Sequence, residues 1–238
     1  MVAPGMLQNP SVKSWLGSAE PAWTLLDQAS FTALRKPPSP TAGAIRLASD
    51  LTPGEVQQSP VTRNALILLN AAAAAGPGLK MTATGNLSRG VVAEMCDLFT
   101  WPEFDKAGAF QFNQVINEPD FLPLYFVRSL VQAGTLLRRH KGHLRISPAG
   151  RRMLEAPNQQ ALQAVLFHIA LWHLDLGGLA RGLHHGWPQC DAGIVLWSLS
   201  VAANDWQPRE QHFYRKTALF DRLLSFDVAL EDTVAPRH

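Results

Sequence analysis

The chain has 238 residues, 47% of them hydrophobic, and a net charge of +2. That is enough apolar material to bury a substantial core without crosslinks. Two cysteines, Cys96 and Cys190, without metal-ligand spacing, exclude a disulfide framework and a cysteine metal site and predict two reduced, buried thiols.

The first residues, MVAPGMLQNPSVKSW, lack a basic region followed by an apolar run, so no signal peptide is expected. No apolar run reaches the roughly 18 residues of a membrane span. A cytoplasmic protein with no membrane partner is predicted.

Residues 1–58 read as a proline-rich arm with one helix, because eight of the 17 prolines fall within the first 60 positions. Ser18 and Pro21 suit a helix start, and Trp23, Leu26 and Leu34 recur at near-helical spacing up to Arg35. The run KPPSPTAG, Lys36 to Gly43, stops that helix. Thr52 and Glu55 then have capping-box spacing for a single turn before Pro60. The arm is expected to pack on the body.

The body, residues 59–156, opens with a capping serine and a first-turn proline, Ser59-Pro60. Val61, Ala65, Leu68, Leu69 and Ala72 share one face of the helix that follows, which runs through the alanines to Gly76. In the next stretch, Leu79 to Thr82 predicts a short strand and Gly85-Asn86 a turn. Ser88 would cap a helix that turns Val91, Val92 and Met95 inward. The glycines with Lys80 and Thr82 do not make a phosphate loop. No Gly-Lys-Ser/Thr closes the run, and Pro77 removes an amide such a loop would use.

The segment from Trp101-Pro102 to Ile116 carries Phe104, Phe110 and Phe112 and reads as a packed loop or short helix. A third body helix starts near Asn117 to Asp120 and ends at Ala133-Gly134. Leu122, Leu124, Phe126, Val127, Leu130 and Val131 cover most of its circumference, leaving a polar stripe of Tyr125, Arg128, Ser129 and Gln132. Such a helix is usually buried on two sides, unlike one lying open in a major groove.

The stretch Thr135 to Leu154 predicts a β-hairpin with its tip at Lys141-Gly142, then a helix start at Ser147-Pro148. Helix, glycine, basic hairpin, helix is the pattern of a winged-helix wing. From Phe121 to Leu154 there are seven cations and no carboxylate, while the remaining 14 basic and 19 acidic residues leave −5 elsewhere. Such asymmetry marks either a surface for phosphates or a solvated hairpin with charged edges.

Residues 157–238 read as a helical region packed on the body. Leu162, Val165, Leu166, Ile169, Trp172, His173 and Leu176 form an apolar face ended by Gly177-Gly178. A helix from Asp191 to Ala203 presents Ile194, Trp197 and Val201, and one from Pro208 presents Phe213, Phe220, Leu223 and Leu224. Together they suggest a helical bundle or dimerisation layer.

No catalytic motif is present: there is no Gly-x-Ser-x-Gly elbow, and neither cysteine is in an activating setting. His168 and His173, five apart and about 140° around a helix, do not share the face a paired metal site uses, whereas His168 and Asp175 do. His184 and His185 lie beside Gly186 in an expected loop. No metal or other cofactor is predicted.

The string LKMTATGNLSR, Leu79 to Arg89, resembles the L-K-x-T-x-T-G-N-L-x-R segment of a group of bacterial proteins of unknown function. There it is likewise followed by Trp-Pro, an N-E-P-D-F-L string and a wing-like hairpin. The resemblance covers about Ser59 onward and implies no activity.

The fold class expected is mainly α: a winged-helix-like domain of helices and a small hairpin, followed by a helical layer. Two functions fit it. In a nucleic-acid-binding regulator, Arg138, Arg139, Lys141 and Arg145 would hold phosphates of duplex DNA. Arg151 and Arg152 would add charge, and Arg128 and Gln132 would read bases. In an interaction module, the same fold would be a scaffold for another protein or a second copy of this chain.

Overall fold

The computed structural model describes residues 22–39, 43–48, 51–102, 104, 116–179 and 189–202, with the isolated positions 10 and 14. The chain divides into two compact units, Leu47–Leu179 and a second built from Met1–Arg46 with Ala180–His238. The described residues are mainly helical with one small antiparallel sheet, as expected.

In the Leu47–Leu179 unit, α2 (Pro53–Gln58) begins with the expected capping box: Thr52 N–H donates to Glu55 Oε2 at 2.7 Å, and Glu55 N–H returns to Thr52 Oγ1 at 3.3 Å. Helix α3 (Pro60–Ala74) is capped by Ser59, whose hydroxyl accepts from Thr62 N–H at 3.3 Å. Its face Ala65, Leu68, Leu69 and Ala72 is buried, with Ala71 and Ala75 of the alanine run packed beside it and Ala74 exposed. Strand β1 (Leu79–Lys80) leads through a turn at Gly85, φ +85°, to α4 (Arg89–Leu98). Ser88 holds the cap position of α4, and Val92 and Met95 are fully buried.

A 3-10 turn, Glu118–Asp120, precedes α5 (Leu122–Ala133). Strands β2 (Leu137–His140) and β3 (His143–Ile146) form the hairpin, and β3 lies between β1 and β2 in the sheet. At the tip Lys141 and Gly142 both have positive φ, +47° and +74°. That is the two-residue turn whose twist matches a hairpin. Ser147 then caps α6 (Pro148–Leu154), accepting from Gly150 N–H at 3.0 Å. Helix α7 (Ala156–Trp172) closes the core with Leu162, Leu166 and Ile169. Helix α3 is central: it packs against α5, α6, α7 and β3.

Helix α5 ends at Ala133-Gly134 as expected, and one expectation at another helix end is corrected. Gly134, φ −72°, is the cap residue of α5, and the left-handed residue that follows it is Thr135, φ +55°. Leu136 N–H reaches Val131 C=O at 2.8 Å and Thr135 N–H reaches Gln132 C=O at 2.9 Å, which together close the helix end. Gly134 packs closely on α7: a Cβ there would stand 2.8 Å from Ile169 Cδ1, so that side chain would have to shift. The correction concerns α7, which ends at Trp172 instead of continuing to Gly177-Gly178. Those glycines lie inside a separate turn, α8 (Leu176–Leu179).

In the other unit, the helix expected from Ser18 to Arg35 is broken. A 3-10 turn at Ala22–Leu25 precedes α1 (Gln28–Leu34), and Asp27 is the residue that caps it, accepting from Ser30 N–H at 2.7 Å. Helix α9 (Ala192–Ala202) packs on α1 at Gly193, where any Cβ would overlap the Leu34 carbonyl oxygen. Arg35 pairs with Asp191 at 3.0 Å beside that contact. Trp23, Leu34 and Ile194 are buried there. Phe110, Phe112 and the helix expected from Pro208 lie outside the described residues.

Among the described residues no helix is long and apolar enough to cross a membrane.

Candidate nucleic-acid interface

The register of the sheet decides which way its cations face. Leu137 is opposite Ile146, Arg138 opposite Arg145, Arg139 opposite Leu144, and His140 opposite His143. Opposed residues share a face and faces alternate along a strand. Leu137, Leu144 and Ile146 turn to the core, the first two fully buried. Arg138 and Arg145 therefore stand side by side on the outer face, both exposed. Strand β1, expected at Leu79 to Thr82, adds a cation that sequence reading left out of the site, since Lys80 is opposite His143 and exposed.

Arg139 falls on the other face. It shares the side of Leu137 and Leu144 and reaches past the sheet to the turn before α4. A Cβ on Gly85 would lie 2.9 Å from its Nη1, so the glycine there serves both the positive φ and the guanidinium. Lys141 is exposed at the hairpin tip, and Arg151 and Arg152 are exposed in the last turn of α6.

Arg128, expected on the polar stripe of α5, is turned inward and only 4% exposed. Its Nε pairs with Glu118, itself fully buried, and its Nη1 donates to Gln132 Oε1 at 2.6 Å. Tyr125 lies against it, with the guanidinium carbon 5.5 Å from the ring centroid. The reason lies ten residues upstream. A carboxylate removed from water requires a partner charge, and Arg128 is the cation on the facing turn. Burial pushes the Glu118 carboxyl up, against the opposing pull of Arg128, the Leu87 amide and Arg139.

Glu118 is the residue that sequence reasoning missed. Its second oxygen accepts from Leu87 N–H at 2.6 Å, and next to it Arg89 Nε donates to Asn117 Oδ1 at 3.2 Å. Thus LKMTATGNLSR and NEPDFL, apart in sequence, are two halves of one buried junction. Phe121, also from the second string, packs at a tilt against Phe104 and Phe99, with ring centroids 4.6 and 5.8 Å away. The most distinctive strings of the chain are accounted for by structure.

The histidines of α7 also depart from expectation. His168 Nε2 and His173 Nε2 are 2.8 Å apart. The 140° separation holds only while the helix continues, and His173 has already left it with φ −126°. Burial and the neighbouring His173 lower the pKa of His168. Asp175 Oδ1 accepts from Gly178 N–H at 2.9 Å and so caps α8. Among the described residues no three or more His, Cys, Asp or Glu side chains converge on one point.

Residues 57–159 match the family model described as the Y4jL N-terminal domain. The chain is similar to uncharacterised bacterial proteins of this kind. One relative, "Uncharacterized protein y4jL" of Sinorhizobium fredii (strain NBRC 101917 / NGR234), is 32% identical over 113 residues. That alignment covers 48% of this chain and 50% of the relative, so the chain spans about half the length of the curated protein it matches. No solved structure matches it significantly. The matched segment holds the sheet, α3 to α6 and the Glu118 junction, all within the Leu47–Leu179 unit.

Proposed function

We propose that the Leu47–Leu179 unit is a winged-helix-type nucleic-acid-binding module that grips the phosphates of duplex DNA through its basic hairpin. Support for the fold label comes from connectivity: helix, strand, helix, helix, hairpin, with sheet order β1-β3-β2. The observation that carries the function is Arg138 directly opposite Arg145, both exposed, on a hairpin without a carboxylate. Like charges face each other across a ladder at a cost in stability, and an anionic ligand relieves it. Arg128 and Gln132 are engaged with each other and with Glu118, so α5 offers no unengaged cation to base edges. The module therefore holds the backbone without specifying a sequence.

The test is fluorescence anisotropy of a labelled random-sequence duplex with the full chain at two salt concentrations. Binding that weakens steeply with salt is expected. Undetectable or salt-independent binding rejects the reading.

A second reading, an interaction module that pairs with another protein or a second copy of the chain, draws on two exposed leucines. Leu122 at the start of α5 is 53% exposed and Leu98 at the end of α4 is 48% exposed. Its test is particle size in solution, where Leu122→Ser would dissociate an assembly formed through that residue.

A further inference from the structure

We infer that the phosphate-binding surface is the outer face of the whole three-stranded sheet, with Lys80 of β1 as a contact and Arg139 excluded from it. The inference rests on the nucleic-acid reading and redraws its site.

The ladder puts five groups on this face in two rows. One row runs Lys80, His143, His140 across β1, β3 and β2, and the other runs Arg145, Arg138 across β3 and β2. Neighbouring strands lie about 4.8 Å apart, so the first row is about 10 Å wide. Two residues along a strand set the rows about 7 Å apart. None of the ten residues in the three strands is acidic.

Local chemistry holds the face in shape. His143 Nδ1 bonds the Lys141 carbonyl oxygen at 3.0 Å, which leaves Nε2 as the ring nitrogen directed away from the turn. Met81 N–H donates to Gly142 C=O at 2.8 Å, which ties β1 to the hairpin tip and keeps Lys80 in register with it. Gly78 lacks the side chain that would block the Arg145 stem, since a Cβ there would stand 2.7 Å from Arg145 Cγ. A cationic face two rows deep, flanked by a charged tip at Lys141, fits a ligand with repeated negative charge. The phosphate backbone of duplex DNA is that ligand.

Arg139 adjoins Arg138 in sequence and is likewise exposed, but it opposes Leu144 on the other side of the sheet and lies along Gly85. Two adjacent arginines thus have different roles: Arg138 meets phosphate, and Arg139 braces the turn that carries Leu87 to Glu118.

The test is the slope of log affinity against log salt for a labelled random-sequence duplex and the full chain, measured for four variants. Each phosphate contact contributes about 0.9 to that slope. Lys80→Gln, Arg138→Gln and Arg145→Gln should each flatten it by about that amount, and Arg139→Gln should leave it unchanged. Melting curves taken in parallel should show Arg139→Gln destabilised and Lys80→Gln unaffected. Should Arg139→Gln fail to fold, Lys80→Glu still decides, with an expected loss of tenfold or more in affinity.

If Arg138→Gln and Arg145→Gln flatten the slope while Lys80→Gln does not, the extension across β1 is overturned and the hairpin reading stands. Flattening by Arg139→Gln equal to that of Arg138→Gln overturns the division of faces. Displacement of the duplex by polyglutamate at equal negative charge assigns the face to acidic protein segments and overturns the nucleic-acid ligand. Absence of any salt-dependent binding overturns both readings.

Discussion

The outer face of the sheet and the helix α5 are built from the same basic stretch, yet they treat charge in opposite ways. On the sheet, Arg138 and Arg145 are exposed and face each other. On α5, Arg128 is spent inside the core against Glu118 and Gln132. Seven cations in 34 residues thus describe a composition, not a surface. Each cation's position in a ladder or helix decides whether it is available to a ligand. A cation in the sheet is assigned by pleat and register; one on a helix is assigned by whatever carboxylate its neighbours bury.

The sharpest way to break this contrast is to remove the buried pair. Arg128→Ala leaves Glu118 buried and uncompensated and should cost about 3–5 kcal/mol in urea unfolding, whereas Arg138→Ala should cost little or nothing. Equal costs for the two would mean that Arg128 is not the structural cation. Replacing both members, Arg128→Met with Glu118→Leu, should recover much of that loss, since an apolar pair of similar volume tolerates the same site.

Next in size is the seam between hairpin and α6. A Cβ on Gly150 would overlap the Leu136 carbonyl oxygen and stand 2.9 Å from Ile146 Cγ1. Gly150→Ala should therefore lower stability by about 1–3 kcal/mol, read as a fall in melting temperature. A smaller effect of opposite sign is expected at the end of α5. Thr135 holds a left-handed conformation that a β-branched residue adopts at a cost, so Thr135→Gly should raise stability by about 0.5–1 kcal/mol. A loss instead would mean that the threonine side chain contributes more than its backbone strain subtracts.

The smallest expected effect concerns pH. His168 has its pKa lowered from 6.5 by burial and by His173, so the unfolded chain binds that proton more tightly than the folded one. The contribution is present above pH 6.5 and is lost as pH falls through the lowered value. Melting temperature measured from pH 7 downward should decline less steeply in His168→Gln than in the parent. Parallel curves would remove the pair from the account.

Much of the Leu47–Leu179 fold was legible because its signals are local. Ser59-Pro60 and Ser147-Pro148 start helices through a cap and a fixed φ, and Lys141-Gly142 makes the turn that its flanking strands require. What stayed hidden depends on distant partners. Glu118 reads as an ordinary charged residue before a helix until Leu87 and Arg128 are seen around it. Lys80 was readable as part of a short strand but not as a neighbour of the hairpin, because nothing local reveals that β1 pairs with β3. Gly134 was placed correctly at the end of α5, but its approach to Ile169 of α7 has no local signal. Alternation was readable on both strands, since it turns Arg145 outward and sets Arg138 and Arg139 on opposite faces, as the register has them; only the register tells which of the two stands beside Arg145.

The measurement closest to the central claim is the affinity of the Arg138→Gln, Arg145→Gln double variant for duplexes of several unrelated sequences. A face that grips phosphates without reading bases should lose affinity by the same factor on every sequence, with a salt slope flatter by about two contacts. Unchanged affinity, or a loss confined to one sequence, would contradict it.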